Sequence, residues 1–210
     1  MTALRTLRQH RDAETLLVLL PGAYMTPEDY AAHYFPAIGP KRLDLCAVEL
    51  GVDLITSGEA IPAIREQILQ PARGEYTHLW LGGISLGGLL SLCLNADHPG
   101  LVDGLCLIAP YPGSRLTSNT IARAGGLAAW QPTPEQLSDG EFRMWQWLKQ
   151  PPADLPVFVG YGAADRFASG MAQIAACFPP DQRAVVTGDH DWPAWQALWA
   201  QFLASGLLPG

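Results

Sequence analysis

Six short apolar runs, each parted from the next by a helix-like or loop-like stretch, limit what this chain can fold into. They occupy residues 15–20, 43–48, 77–84, 101–109, 155–160 and 183–187. Strands buried on both faces read as near-continuous apolar runs rather than alternating ones, and they need helices to cover both faces. Such stretches lie between or after the runs: 29–35, the amphipathic 60–69 with Pro62 near its first turn, and, after the last run, the Trp-rich 193–204. The pattern predicts an α/β domain built on a mostly parallel sheet. With 210 residues, 49% of them hydrophobic and only 16% charged, the chain suits a single domain around one well-buried core.

The third run leads into Gly82-Gly83-Ile84-Ser85-Leu86-Gly87-Gly88, and a small apolar, helix-like run (89–96) follows. Strand, sharp turn and helix, with a serine at the apex between glycines, is the setting in which Gly-x-Ser-x-Gly becomes a nucleophile elbow. The elbow strains the serine backbone and brings strand and helix too close for side chains at Gly83 and Gly87. The motif alone is short and could be a plain Gly-rich turn, so its context carries the reading. Phosphate-loop readings fail, because no Gly-Lys-Ser/Thr follows and no G-x-G-x-x-G spacing is present.

A serine hydroxyl needs a base to take its proton. Of five histidines, His10 lies in a polar leader and His33 in an aromatic helix. His78 and His98 belong at the far end of the sheet. His190, in Gly188-Asp189-His190-Asp191-Trp192-Pro193, follows the last run and so falls at the same end as Ser85. The base in turn needs an acid to fix its tautomer. Asp165, in Tyr161-Gly162-Ala163-Ala164-Asp165, follows the fifth run, and Gly162 allows a sharp exit toward the His loop. Asp103 and Asp154 precede their strands. Asp139 lies in a long insertion, and Asp189 and Asp191 flank the histidine itself. The alternative role for Asp165 is a helix N-cap. The order Ser85, Asp165, His190 is nucleophile, acid, base. Oxyanion donors are expected from the backbone N–H of Leu86, next after the nucleophile, and of Ala23, with Tyr24 second, in the loop Pro21-Gly22-Ala23-Tyr24.

One interval breaks the rhythm. Residues 111–152, bracketed by prolines, run for about forty residues where a single crossover helix would do, and insertions of that length are often lids or substrate loops. The sequence therefore predicts a lid there, with Tyr24, Tyr111, Trp130 and Trp145 as pocket walls or, equally, as core.

In these motifs the chain resembles the α/β-hydrolase superfamily over about residues 15–204. Gly-Ile-Ser85-Leu-Gly-Gly is the most specific part. Gly-Asp-His190-Asp-Trp-Pro-Ala-Trp is similar to the His loop of esterase-D-like carboxylesterases, and Tyr-Gly-Ala-Ala-Asp165 is similar to the superfamily's acid loop. Many members carry His-Gly at the oxyanion strand where this chain has Pro21-Gly22. The resemblance implies a three-layer sheet of six or seven strands and the cleavage of an ester, thioester or related acyl bond. The expected enzyme is a serine carboxylesterase acting on a small or medium acyl ester, with no metal or organic cofactor. A thioesterase or acyltransferase with the same residues stays open, as does a non-catalytic binding protein on the same fold.

A net charge of −7 argues against nucleic acid as a partner. The apolar stretch 16–20 is too short for a signal h-region or a membrane span, so the expected location is cytoplasmic. A homodimer is left open. Cys46, Cys93, Cys106 and Cys177 have no C-x-x-C spacing and read as free thiols.

Overall fold

The computed structural model describes residues 3–209. Side chains alternate between the two faces of a strand, and the inner strands use apolar residues on both. In β2 (Thr15–Leu20), Leu16, Val18 and Leu20 enter one core cluster while Leu17 and Leu19 enter the other. The remaining strands are β1 (Thr6–Gln9), β3 (Asp44–Val48), β4 (His78–Ile84), β5 (Gly104–Ile108), β6 (Val157–Gly162) and β7 (Arg183–Val186). They form one seven-stranded sheet in the order β1-β3-β2-β4-β5-β6-β7. All neighbours are parallel except β1, which runs antiparallel to β3 with Thr6 opposite Val48.

Helices cover both faces. The first face takes α3 (Ala60–Ile64), which passes through a π turn at Arg65–Leu69 into α4 (Gln70–Arg73). It also takes α5 (Leu86–Asp97), α6 (Arg115–Arg123), α7 (Gly140–Leu148) and most of the apolar side of α8 (Ala168–Ala175). The second face is closed by α1 (Pro27–His33) and α9 (Trp192–Ala204), where Tyr34 stacks on Trp199 with ring centroids 4.4 Å apart. A further short helix, α2 (Val52–Thr56), has no buried residue.

The six apolar runs are strands, and the seventh strand is the polar leader. Thr6–Gln9 is only partly buried, and it pairs as an edge. The fourth run starts later than its apolar residues suggest. Asp103 N–H donates to the Leu79 carbonyl at 2.7 Å and its carboxylate accepts from Leu79 N–H at 2.8 Å, pinning 101–103 as a turn before Gly104.

Residues 111–152 hold two helices, α6 and α7, where one crossover helix would suffice. α7 lies against α5. Phe142, Trp145 and Leu148, spaced three apart on one helix face, are buried in the first core cluster. Trp130 joins them at 1% exposure, with its ring 5.7 Å from Phe142. Of the aromatic residues expected on a lid, Trp130 is therefore core. The insertion is built largely into the helical layer, because α7 has an apolar face that water cannot stabilise.

Candidate active site

Ser85 stands alone between β4, which ends at Ile84, and α5, which begins at Leu86. Its φ of 54° and ψ of −113° lie where non-glycine residues are strained. Three backbone bonds hold it there. Its N–H donates to the Ile108 carbonyl at 3.0 Å, and its carbonyl accepts from Leu89 N–H at 3.1 Å and Tyr111 N–H at 2.9 Å. The flanking glycines answer to close approach. A Cβ on Gly83 would lie 2.4 Å from the Leu20 carbonyl oxygen, and one on Gly87 only 2.0 Å from the same atom. Beneath the turn, the buried Tyr30 hydroxyl donates to the Leu20 carbonyl at 2.7 Å and accepts from Ile84 N–H at 3.2 Å. Burial pushes the Tyr30 phenol well above its ordinary pKa, so it stays a neutral strut.

Sequence-distant side chains meet here. His190 Nε2 lies 2.9 Å from Ser85 Oγ, and His190 Nδ1 lies 2.5 Å from Asp165 Oδ2. A carboxylate oxygen can only accept, so Nδ1 donates to Asp165 and Nε2 of the neutral ring accepts the serine hydroxyl. The Asp165 side chain is fully buried, while that of His190 keeps 15% exposure. Asp165 uses its second oxygen locally, accepting from Phe167 N–H at 2.8 Å. The carboxylate thus shapes its own turn and orients the ring, but it does not cap α8, whose N-cap is Phe167 with no side-chain cap bond. Phe167 and Trp195 meet the imidazole edge-on, with centroids 5.6 and 5.2 Å away.

The loops after β6 and β7 are tied together. Ala163 N–H donates to the Val186 carbonyl at 2.8 Å and Ala164 N–H to the Gly188 carbonyl at 2.9 Å. A Cβ on Gly162 would fall 2.5 Å from the Gly188 oxygen and 2.8 Å from the Asp189 oxygen. Gly162 is thus required for contact between the loops. The sharp exit read from the sequence is not its reason, since its φ is not in the left-handed region. Asp191 accepts from Ala194 N–H at 3.2 Å and caps α9, while Asp189 accepts from His190 N–H at 2.8 Å.

Leu86 N–H sits at the first position of α5, where a helix leaves its amides without an intrahelical acceptor. The loop after β2 touches the same turn. A Cβ on Gly22 would lie 3.4 Å from the Ile84 oxygen, and one on Gly87 would lie 2.9 Å from the Pro21 oxygen. Among the described residues, Ala23, Tyr24 and Leu86 donate no backbone hydrogen bond. Tyr24 has a φ of 64° and is 96% exposed.

No family sequence model and no curated protein matches the chain by sequence. Solved structures do match in shape. A monoacylglycerol lipase from Paleococcus ferrophilus superposes with a TM-score of 0.63 at 15% identity, over 97% of this chain and 99% of that one. An alpha-beta serine hydrolase homologue from Coxiella burnetii gives 0.64 at 13% identity, over 98% and 92%. The chain has the α/β-hydrolase fold. A thioesterase domain from the curacin biosynthetic pathway shares it, with a TM-score of 0.59 at 12% identity over 95% and 94% of the two chains.

On this fold the aromatic residues singled out by sequence part company. Tyr111 and Trp145 line a cleft of about 340 Å³ together with Pro112, Phe167 and Gly170. Trp145 is nevertheless 2% exposed, with its Nε1–H donating to the Pro112 carbonyl at 3.1 Å. Trp130 does not line this cleft. The sequence reading missed Phe167 and Trp195. Their positions, two residues after the acid and five after the histidine, were the available signal. Among the described residues, no group of three His, Cys, Asp or Glu side chains could hold a metal ion, and no helix is long and apolar enough to cross a membrane.

Proposed function

We propose that this α/β-hydrolase is a serine hydrolase that cleaves carboxylic esters of small or medium acyl groups through an acyl-enzyme. The single observation that carries the proposal is the continuous relay of Ser85 Oγ, His190 and Asp165, at 2.9 and 2.5 Å. His190 Nε2 takes the hydroxyl proton as Ser85 Oγ bonds to the acyl carbon. Asp165 steadies the imidazolium that forms. Negative charge develops on the former carbonyl oxygen, and the N–H groups of Leu86 and Ala23 are the donors that would meet it. The tetrahedral intermediate then breaks its bond to the alkoxide, which leaves with the proton from Nε2. Water repeats the sequence: Nε2 takes its proton, its oxygen bonds to the acyl carbon, and the Ser85 bond breaks as Nε2 returns the proton to Oγ, releasing acid and free enzyme.

Structural likeness to a lipase supports the ester as the scissile group. The matching thioesterase domain favours a second reading, in which a thiolate leaves instead. Purified protein is expected to turn over p-nitrophenyl acetate and butyrate and to be labelled by a fluorophosphonate at Ser85. Ser85→Ala should lose both. Turnover that survives this substitution would refute Ser85 as the nucleophile. Matched oxygen and sulfur esters of one acyl group separate the two readings.

A further inference from the structure

The cleft beside Tyr111 and Phe167 has a charge pattern that neither the fold nor the relay requires. It adjoins the relay directly: Tyr111 N–H bonds the Ser85 carbonyl at 2.9 Å, the Tyr111 and Phe167 rings lie 5.1 Å apart, and Phe167 packs on His190. Its wall carries two arginines, Arg115 and Arg166, and no Asp or Glu, in a chain with 20 acidic residues against 13 basic ones. Neither arginine is spent on a carboxylate. Among the described residues the arginine ion pairs are made by Arg5, Arg65, Arg73 and Arg143.

The nearby acids are already engaged. Glu141 accepts from Ser114 N–H at 2.8 Å and Thr117 Oγ1 at 2.6 Å. Asp165 serves His190 and Phe167. Asp189 and Asp191, in the hollow on the other side of Arg166, accept from the backbone. Local structure does not explain Arg115 either. It is the first residue of α6, where the helix dipole disfavours a cation. Arg166 lies 4.7 Å over the Phe167 ring, which fixes one face of its guanidinium and leaves the N–H edge for a ligand.

We propose that the substrate is an ester bearing a carboxylate or other anionic group, which Arg115 and Arg166 hold in this cleft while the acyl carbon sits at Ser85. This deepens the hydrolase reading above and rests on it.

The test compares charged and neutral esters in two matched pairs. Mono-p-nitrophenyl adipate against p-nitrophenyl methyl adipate places the charge on the acyl side. 4-Acetoxybenzoate against its methyl ester places it on the leaving side. In at least one pair, kcat/KM of the wild type should favour the anion by about tenfold, the scale of two partly exposed charge pairs. Added salt should reduce the preference. Arg115→Gln and Arg166→Gln should each pull the ratio toward one. The ratio is read within each variant, so any loss of folded enzyme cancels. A ratio of one or less in both pairs, with Ser85 still labelled by fluorophosphonate, overturns the anion proposal alone, as does a ratio unmoved by both substitutions. No turnover and no labelling overturns the hydrolase reading and this inference with it.

Discussion

One methyl group at Gly87 should cost this protein both stability and turnover. The added Cβ would lie 2.0 Å from the Leu20 carbonyl oxygen, 2.5 Å from its carbon and 2.9 Å from the Pro21 oxygen. Ordinary contact begins at 3.4 Å, so the tightest pair is 3.4 − 2.0 = 1.4 Å too close. β2 cannot retreat, because it is paired on both sides by β3 and β4. The start of α5 must lift instead, carrying Ser85 away from His190. Overpacking of well-filled sites costs about 1–3 kcal/mol, and a clash with fixed backbone belongs at or above the upper end of that range. Against a total stability of roughly 5–15 kcal/mol, this is a large share. Urea unfolding of Gly87→Ala should give a clearly lowered midpoint with an unchanged slope. Gly51→Ala is the control, since nothing lies within 4 Å of its added Cβ and its φ is ordinary. If Gly87→Ala unfolds within about 0.5 kcal/mol of the wild type, the margin of a neutral surface change, and still turns over ester, the close-approach account of the elbow is wrong.

Three further outcomes follow from the packing. Tyr30→Phe removes the hydroxyl that joins the Leu20 carbonyl to Ile84 N–H. It should destabilise by about 1–3 kcal/mol in urea, the cost of stranding buried polar groups. Trp130→Ala should cost about 3–5 kcal/mol, as a buried Trp truncation does, and a KM change at full stability would instead return Trp130 to the pocket. Stability should fall in acid. The Arg73 guanidinium holds the Asp103 carboxyl below the ordinary 3.8. Burial pushes Asp44 up, but bonds from Arg11 N–H, the Tyr76 hydroxyl and Ala13 N–H outweigh it and leave its pKa lowered as well. Such depressed carboxyls stabilise the fold above about 3.8, and the gain is lost as pH drops through their folded values. Urea midpoints measured from pH 6 downward should trace this decline, and Asp103→Asn should make it shallower. An unchanged slope in that variant would remove Asp103 from the account.

Much of the fold was legible because β2 to β6 are mostly buried on both faces, which writes each strand as an apolar run. β1 was hidden for the opposite reason. As a four-residue edge strand it is polar and half-wet, and the sequence alone showed only room for it. The positions of Ser85, Asp165 and His190 at one end of the sheet could be read because a parallel sheet sends every strand's carboxyl end to the same rim. What local sequence could not give was contact between distant segments. Gly162 serves the neighbouring loop, and Arg115 and Arg166 converge across a cleft from elements about fifty residues apart. Trp130 and Trp145 stood equally between pocket and core; Trp130 is core, while Trp145 is buried yet lines the cleft beside Tyr111. The spacing of Phe142, Trp145 and Leu148 pointed to a helix face seeking a core.

Because Asp191 caps α9 immediately after His190, the imidazole is mounted on the tip of a thirteen-residue rod whose flank is clamped by the Tyr34–Trp199 stack. Substitutions deep in that clamp would let the tip swing before the molecule melts. Variants selected for altered speed should therefore turn up among buried aromatics on the side of the sheet remote from α5, well away from Ser85 and Asp165.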